Sequence, residues 1–342
     1  MNQMNNSFIK HLLITLIIFS NYSFGKEFEE LFTIYVPIEN TSEIESSINQ
    51  SFNNLVFRIS GSKSPSNIWK IINSGSSRKD FITSYSIKNI NDKSSLEVNF
   101  NQNLVIDKFK KLSIPIIGYS RPVIFFLITV ESGSEDPYFI SKDSTNDIDI
   151  YIKESLDRLS NERGLFLELP VLDLEDETFL TNTSILNSPQ QYLISKYDFD
   201  EYVDIKLINL GLKKWLIKGD INTDFNKESY LEDIKQSLDN YLESLINTTF
   251  SDLKIDTSKT ILLEVNIEGI YSYEDYEILK EKLLKNIAIT NLEILNLKND
   301  TITYKINAMG DINNFKKSIE NNTFFEFLSE KTENNLSLRF LK

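Results

Sequence analysis

No cysteine occurs among the 342 residues of this chain, and that absence constrains the fold more than any motif it carries. With neither disulfides nor thiolate metal clusters, each domain must be held by an apolar core of its own. The only histidine, His11, lies in a stretch that reads as an address. Lys10 is followed by an apolar run over residues 12–19, then by Asn21, Tyr22, Ser23, Phe24 and Gly25. This is the layout of a cleavable export signal over residues 1–25, with the cut expected after Gly25. The run is well short of the roughly 20 residues an uncleaved anchor needs. Removal leaves a chain with neither thiol nor imidazole, which excludes Ser-His-Asp triads, cysteine nucleophiles and His-ligated zinc.

The 36 Lys and Arg against 50 Asp and Glu give a net charge of -14, with no basic cluster in the sequence. That balance argues against nucleic acid and anionic lipid as partners. After the leader, the longest apolar run covers residues 122–130, is of strand length, and meets Glu131. No stable membrane insertion is therefore expected once the leader is gone. The remaining length exceeds one typical core, so two or three domains are expected.

Periodicity then divides the chain. Phe32, Ile34, Val36 and Ile38 alternate with polar positions or Pro, the mark of a half-buried strand. Ile44, Ile48, Phe52, Leu55, Val56 and Ile59 recur at steps of three and four, one face of a helix that stops at Gly61. A short helix capped by Ser66, with Trp69 in the core, strands near 81–87 and 96–100, and a helix near 104–112 complete an N-terminal α+β domain over residues 26–114. Pro115, Gly118 and Pro122 interrupt regular structure there. A central α/β domain follows over residues 115–250. Its expected strands cover 123–130 and 165–172 and a hairpin through Val203 and Trp215, and its helices carry Ile148, Ile152, Leu156 and Leu159, begin at Ser188 and Pro189, or carry Ile234 and Leu238. Residues 251–342 read β-α-β-β-α-β, the ferredoxin-like order. The fold class is thus α+β and α/β in three small domains.

Few motifs carry chemistry. Glu168 to Glu177, "ELPVLDLEDE", sets Asp173, Glu175, Asp176 and Glu177 at the end of an apolar run. It lacks the spaced oxygens and glycine of a calcium loop. The favoured reading is a strand passing into a helix whose first N–H groups are capped by Asp173 or Asp176. Binding of a ligand is the alternative role for Asp173, Glu175 and Asp176. Ser60 and Lys63 have Ser-x-x-Lys spacing, but at a helix end and without the elements that accompany it in serine enzymes. Arg58 and Arg121 are candidates either for clamping a carboxylate or for a buried pairing, for instance with the acidic cluster. No catalytic residue, metal set or cofactor is assigned.

Three phrases, "LVFRISGS" from Leu55, "GYSRPVIFFLITVE" from Gly118 and "ERGLFLELPVLDLEDE" from Glu162, together resemble the bacterial domain-of-unknown-function 2066 family of exported proteins. The likeness spans about residues 27–250 and implies a periplasmic protein of the Gram-negative envelope, without a known activity. The order of the middle region is also similar to the amino-terminal domain of the periplasmic translocation protein TolB. The leading expectation is a non-enzymatic interaction or envelope-assembly module with a protein partner; nothing in the sequence bears on oligomeric state. The alternatives are a small-ligand-binding protein, with its site at the carboxyl ends of the central strands, and a cell-wall hydrolase using carboxylates alone.

Overall fold

The computed structural model describes residues 26–90, 93–133, 135–181, 189–221, 229–320, 324–332 and 334–341. The expected leader, over residues 1–25, and the expected cap Ser188 lie outside them. The fold is mixed α+β, built on three sheets and one short two-stranded ribbon.

The described residues open with β1 (Lys26–Glu27) and β2 (Thr33–Pro37), in which Ile34 and Val36 are buried. Helix α1 (Ile44–Ser60) buries Ile48, Phe52, Leu55, Val56 and Ile59, and ends where Gly61 adopts φ 61, a left-handed conformation that costs glycine nothing. Helix α2 (Pro65–Asn73) is capped by Ser64 rather than Ser66, with Pro65 at its first position, where no N–H is needed. It buries Asn67, Ile68 and Ile71, and the expected core role of Trp69 is corrected: the indole is 58% exposed. One residue beyond Ile68 is a rotation of about 100°, which carries Trp69 off the buried face. Strands β3 (Ile82–Ile90) and β4 (Lys93–Phe100) and helix α3 (Gln102–Lys111) follow. The sheet is antiparallel, in the order β2-β4-β3.

Strand β5 (Ser120–Arg121) pairs with β1, and β6 (Val123–Ser132) runs through the middle of the second sheet with residues 123–130 all buried. Strand β7 (Glu135–Phe139), helix α4 (Asp147–Arg163) and β8 (Phe166–Glu168) come next. The last is shorter than the expected 165–172 run because Pro170 has no N–H to offer a ladder. Helices α5 (Leu174–Thr181) and α6 (Pro189–Ile194) lead to β9 (Glu201–Gly211), β10 (Lys214–Gly219), β11 (Ser229–Tyr230) and α7 (Leu231–Ser251). The sheet order is β11-β10-β9-β6-β7, with β8 and β9 parallel to β6. One face of β6, including Ile124, Phe126 and Ile128, shares a core with Ile152 and Leu156 of α4 and Leu238 and Leu242 of α7. On the other, Phe125 stacks on Tyr197 at 4.5 Å and on Phe199 at 5.7 Å.

The third sheet comes from β12 (Thr260–Glu268), α8 (Tyr273–Lys285), β13 (Ile289–Lys298), β14 (Thr301–Met309), α9 (Ile312–Glu320), β15 (Phe325–Thr332) and β16 (Asn335–Phe340). Its order is β13-β14-β12-β16-β15, with β12 and β16 parallel. Strand β15 is one more than the order read from the sequence, and it forms a hairpin with β16. This unit is fastened to the rest by Ile116 and Ile255, which exchange backbone hydrogen bonds of 3.1 and 2.8 Å. Thr257 Oγ1 donates to the Ile114 carbonyl at 2.9 Å, and Ile255, Ile287, Ala288 and Met309 extend the core of the first sheet.

Candidate functional site

Arg58 and Arg121 are brought together, joined by an arginine that the sequence reading did not single out, Arg163. Helices α1 and α4 end at the same place, and their last carbonyls have no partner within the helix. Arg121 is fully buried and spends its donors on these helix ends and on the chain just before it: Nε donates to Gly118 O at 2.6 Å, Nη1 to Arg58 O at 3.1 Å and Arg163 O at 3.4 Å, and Nη2 to Arg58 O at 3.2 Å and Ile117 O at 3.1 Å. Arg58 reaches the carbonyls of Glu30 (2.8 Å), Thr33 (2.7 Å) and Asn161. Arg163 donates to Glu243 at 2.8 Å and Asn247 at 2.9 Å. Phe250 lies under both Arg121 and Arg163, with the guanidinium carbons 5.4 and 5.6 Å from the ring centre. Burial pushes the Arg58 pKa down to about 10; burial, then repulsion from Arg58 and Arg163, pushes Arg121 down to about 9. All three stay cationic at neutral pH, where a positive charge suits helix carboxyl ends.

The expected buried role of these arginines is therefore met by backbone carbonyls and not by the acidic cluster. Neither guanidinium is presented to a carboxylate ligand. The local signal for Arg163 was the pair Arg163-Gly164, a cation in a helix's last turn before a left-handed glycine at φ 65.

The acids of "ELPVLDLEDE" lie apart from this joint. Asp173 Oδ1 accepts the Asp176 N–H at 2.8 Å and Asp176 Oδ2 accepts the Asp173 N–H at 3.1 Å, a reciprocal cap on α5. The buried Asp176 carboxylate also receives Tyr192 Oη at 2.9 Å and Lys196 Nζ at 2.5 Å, tying α5 to the end of α6. Burial alone would raise its pKa; hydrogen bonds from Lys196, the Asp173 N–H and Tyr192 overcome that and hold it below the usual carboxylate value. Glu175 is exposed. Asp173 and Asp176 are committed to a helix end, so a carboxylate-only hydrolase draws no pair from these two. Ser60 Oγ donates to Val56 O at 2.7 Å, and Lys63 pairs with Glu243 and, at 3.7 Å, with Glu162. The Ser-x-x-Lys spacing thus assembles no nucleophile and base.

Two other features offer themselves to a partner. The first is the free edge of β3. Across the first sheet, Ile34 lies beside Val98 and Val98 beside Tyr85, while Val36 lies beside Leu96 and Leu96 beside Ile87. The first two residues of each row are buried against the helices. The third is not: Tyr85 is 54% and Ile87 48% exposed. The core face thus runs out to an edge strand that no described helix covers and with which no further described strand pairs. The second is a cavity of about 320 Å³, not at the carboxyl ends of the central strands but where β1, residues 117–120 and residues 252–255 face α8, α9 and Phe324.

Comparison with protein-family models, curated proteins and solved structures returns no match to this chain. Among the described residues no group of three or more His, Cys, Asp or Glu could hold a metal, and no helix is long and apolar enough to cross a membrane.

Proposed function

We propose that this chain is a non-enzymatic interaction module of the cell envelope that takes an extended segment of a partner protein as an added strand along β3. The observation that carries this reading is the pair of rows ending in Tyr85 and Ile87, an apolar sheet face left open at a free edge. Sheet edges of this kind are templates for pairing: backbone groups supply affinity, and alternate side chains supply selectivity. The added strand would cover Tyr85 and Ile87 with its own apolar residues. Lys88, the one charged residue of β3, points to the opposite face and favours an acid opposite it.

The wider reading rests on the sequence. The leader-like residues 1–25 and the likeness of the three phrases to the exported domain-of-unknown-function 2066 family support a periplasmic address. The β-α-β-β-α order, with parallel β12 and β16, supports a ferredoxin-like C-terminal unit with β15 added; the TolB-like reading of the middle unit rests on its strand and helix order.

A photo-reactive residue at Ser86, between the two exposed apolar positions, tests the reading in living cells. One discrete crosslinked partner that disappears on Ile87→Lys supports it. Crosslinking no greater than from the same probe at Ser237, on α7, or crosslinks indifferent to Ile87→Lys, would overturn it.

A further inference from the structure

We infer that the cavity between the third sheet's helices and the rest of the chain is a binding site for a small amphipathic anion, a carboxylate or phosphate on an apolar body. Its charge is opposite to that of the chain. In a protein of net charge -14, four lysines line it, Lys26, Lys282, Lys285 and Lys317, against two acids, Glu27 and Asp252. Two of the four are spoken for: Lys26 is paired with Glu168 at 2.7 Å, and Lys285 with Glu27. That second pair also neutralises one of the two acids. The other, Asp252, is exposed and accepts a hydrogen bond from Ser251 Oγ at 3.2 Å.

Lys282 and Lys317 are different. Neither has a carboxylate partner among the described residues. Lys282 Nζ stands 3.9 Å from the centre of the Phe324 ring, which positions the ammonium without neutralising it. The two come from different helices, α8 and α9, and between those helices Asn286 Nδ2 donates to Ser318 Oγ at 3.0 Å, a further polar pair on the wall. The base of the cavity is apolar, formed by Ile117, Ile255 and Ile287 with Tyr119 beside them. The Tyr119 hydroxyl donates a hydrogen bond to Gln102 at 2.8 Å. The volume is at the lower end of the roughly 300–1,000 Å³ usual for small-molecule sites, which suits a short chain or single ring beneath one anionic group.

Calorimetric titration of the purified protein tests this with octyl phosphate and octanoate as probes. Inorganic phosphate is the headgroup-only control and octyltrimethylammonium the cation of matched chain. Saturable binding of either anion is expected; which binds more tightly distinguishes a phosphate from a carboxylate source. Lys282→Gln and Lys317→Gln should each weaken binding about 10-fold or more, the usual scale for losing one charge-assisted hydrogen bond. Lys235→Gln, on α7, should leave it unchanged. Hexyl phosphate should bind about 15-fold more weakly than octyl phosphate, since two buried methylenes are worth about 4-fold each. Thermal unfolding of each variant checks that it is folded. Failure of both anions to saturate, equal binding of octyltrimethylammonium, indifference to both lysine variants, or affinity independent of chain length would each overturn the assignment.

Discussion

Where the first and second sheets meet, three arginines are buried, two of them over Phe250 and the third over Phe28, and donate mostly to backbone carbonyls; where the third sheet meets them, four lysines line a cavity and two have no carboxylate partner among the described residues. Both places set cations against aromatic rings. The difference follows from the side chains. A guanidinium has five donors in a rigid plane and is weakly hydrated, so it survives burial when carbonyls converge on it from several directions. An ammonium is a compact, strongly hydrated charge with three donors on a flexible stem, and is best left near water. The arginine joint holds two helix ends rigidly, whereas the lysine cavity keeps charge available.

The sharpest way to break this contrast is Arg121→Met. It leaves the carbonyls of Arg58, Ile117, Gly118 and Arg163 without this donor, and should cost about 3–5 kcal/mol in chemical denaturation. Arg121→Lys should recover little of that, because three donors cannot replace a fork that makes five contacts. If the lysine variant is as stable as the wild type, charge alone holds the joint and the contrast fails. Next in size is Gly164→Ala, at about 2–3 kcal/mol. The left-handed backbone at φ 65 costs any other residue about 1–2 kcal/mol, and the new methyl would lie 2.7 Å from Arg58 Cγ. Thermal denaturation that shows no loss would mean the joint is slack enough to repack around a methyl.

How much of this could be read in the sequence depends on how local the cause is. The buried face of α1, from Ile48 to Ile59, was legible because helix period alone sets it. So was the cap made by Asp173 and Asp176, since capping acts within four residues. Trp69 was misplaced because one large apolar residue in a short helix does not say which face is buried. Arg163 passed unnoticed because a basic residue before a glycine is an ordinary helix end until its neighbours are known. The lysines of the cavity come from positions 26, 282, 285 and 317, and only packing gathers them; in the sequence they dilute into an acidic background. Packing also gives the stretches from Leu55, Gly118 and Glu162 a common role that none shows alone: each delivers one arginine, Arg58, Arg121 or Arg163, to the joint.

Asp176→Asn lies between the extremes, since Asp176 is a buried carboxylate served by a half-exposed lysine. Asparagine can still accept the Asp173 N–H, so the loss is that of the charged bond to Lys196 and should be about 1 kcal/mol. The pH dependence gives a second readout. Because the folded pKa of Asp176 is depressed, its contribution is complete above the unfolded value of about 3.9 and is lost as pH falls through the folded value. Wild type and variant should therefore converge in stability as pH falls below about 4, measured by denaturation at each pH. A gap that persists at the lowest pH would assign the effect to packing rather than to charge.

The smallest effect is expected at Lys285→Gln. Lys285 and Glu27 bridge the third sheet's unit to β1, the same architectural task the arginines perform, but both side chains are 32% exposed. An ion pair at that exposure is screened by water and salt, and is worth about 0–1 kcal/mol. Lys285→Gln should thus lower stability by no more than about 0.5 kcal/mol, and the deficit should shrink further in 0.5 M salt because the Debye length falls below about 5 Å. It should also free Glu27 within the cavity, so the affinity for octyl phosphate should drop even though the fold does not. A loss of several kcal/mol would show that the lysine cavity is a second structural joint, and would remove the ground for treating its charges as available to a ligand.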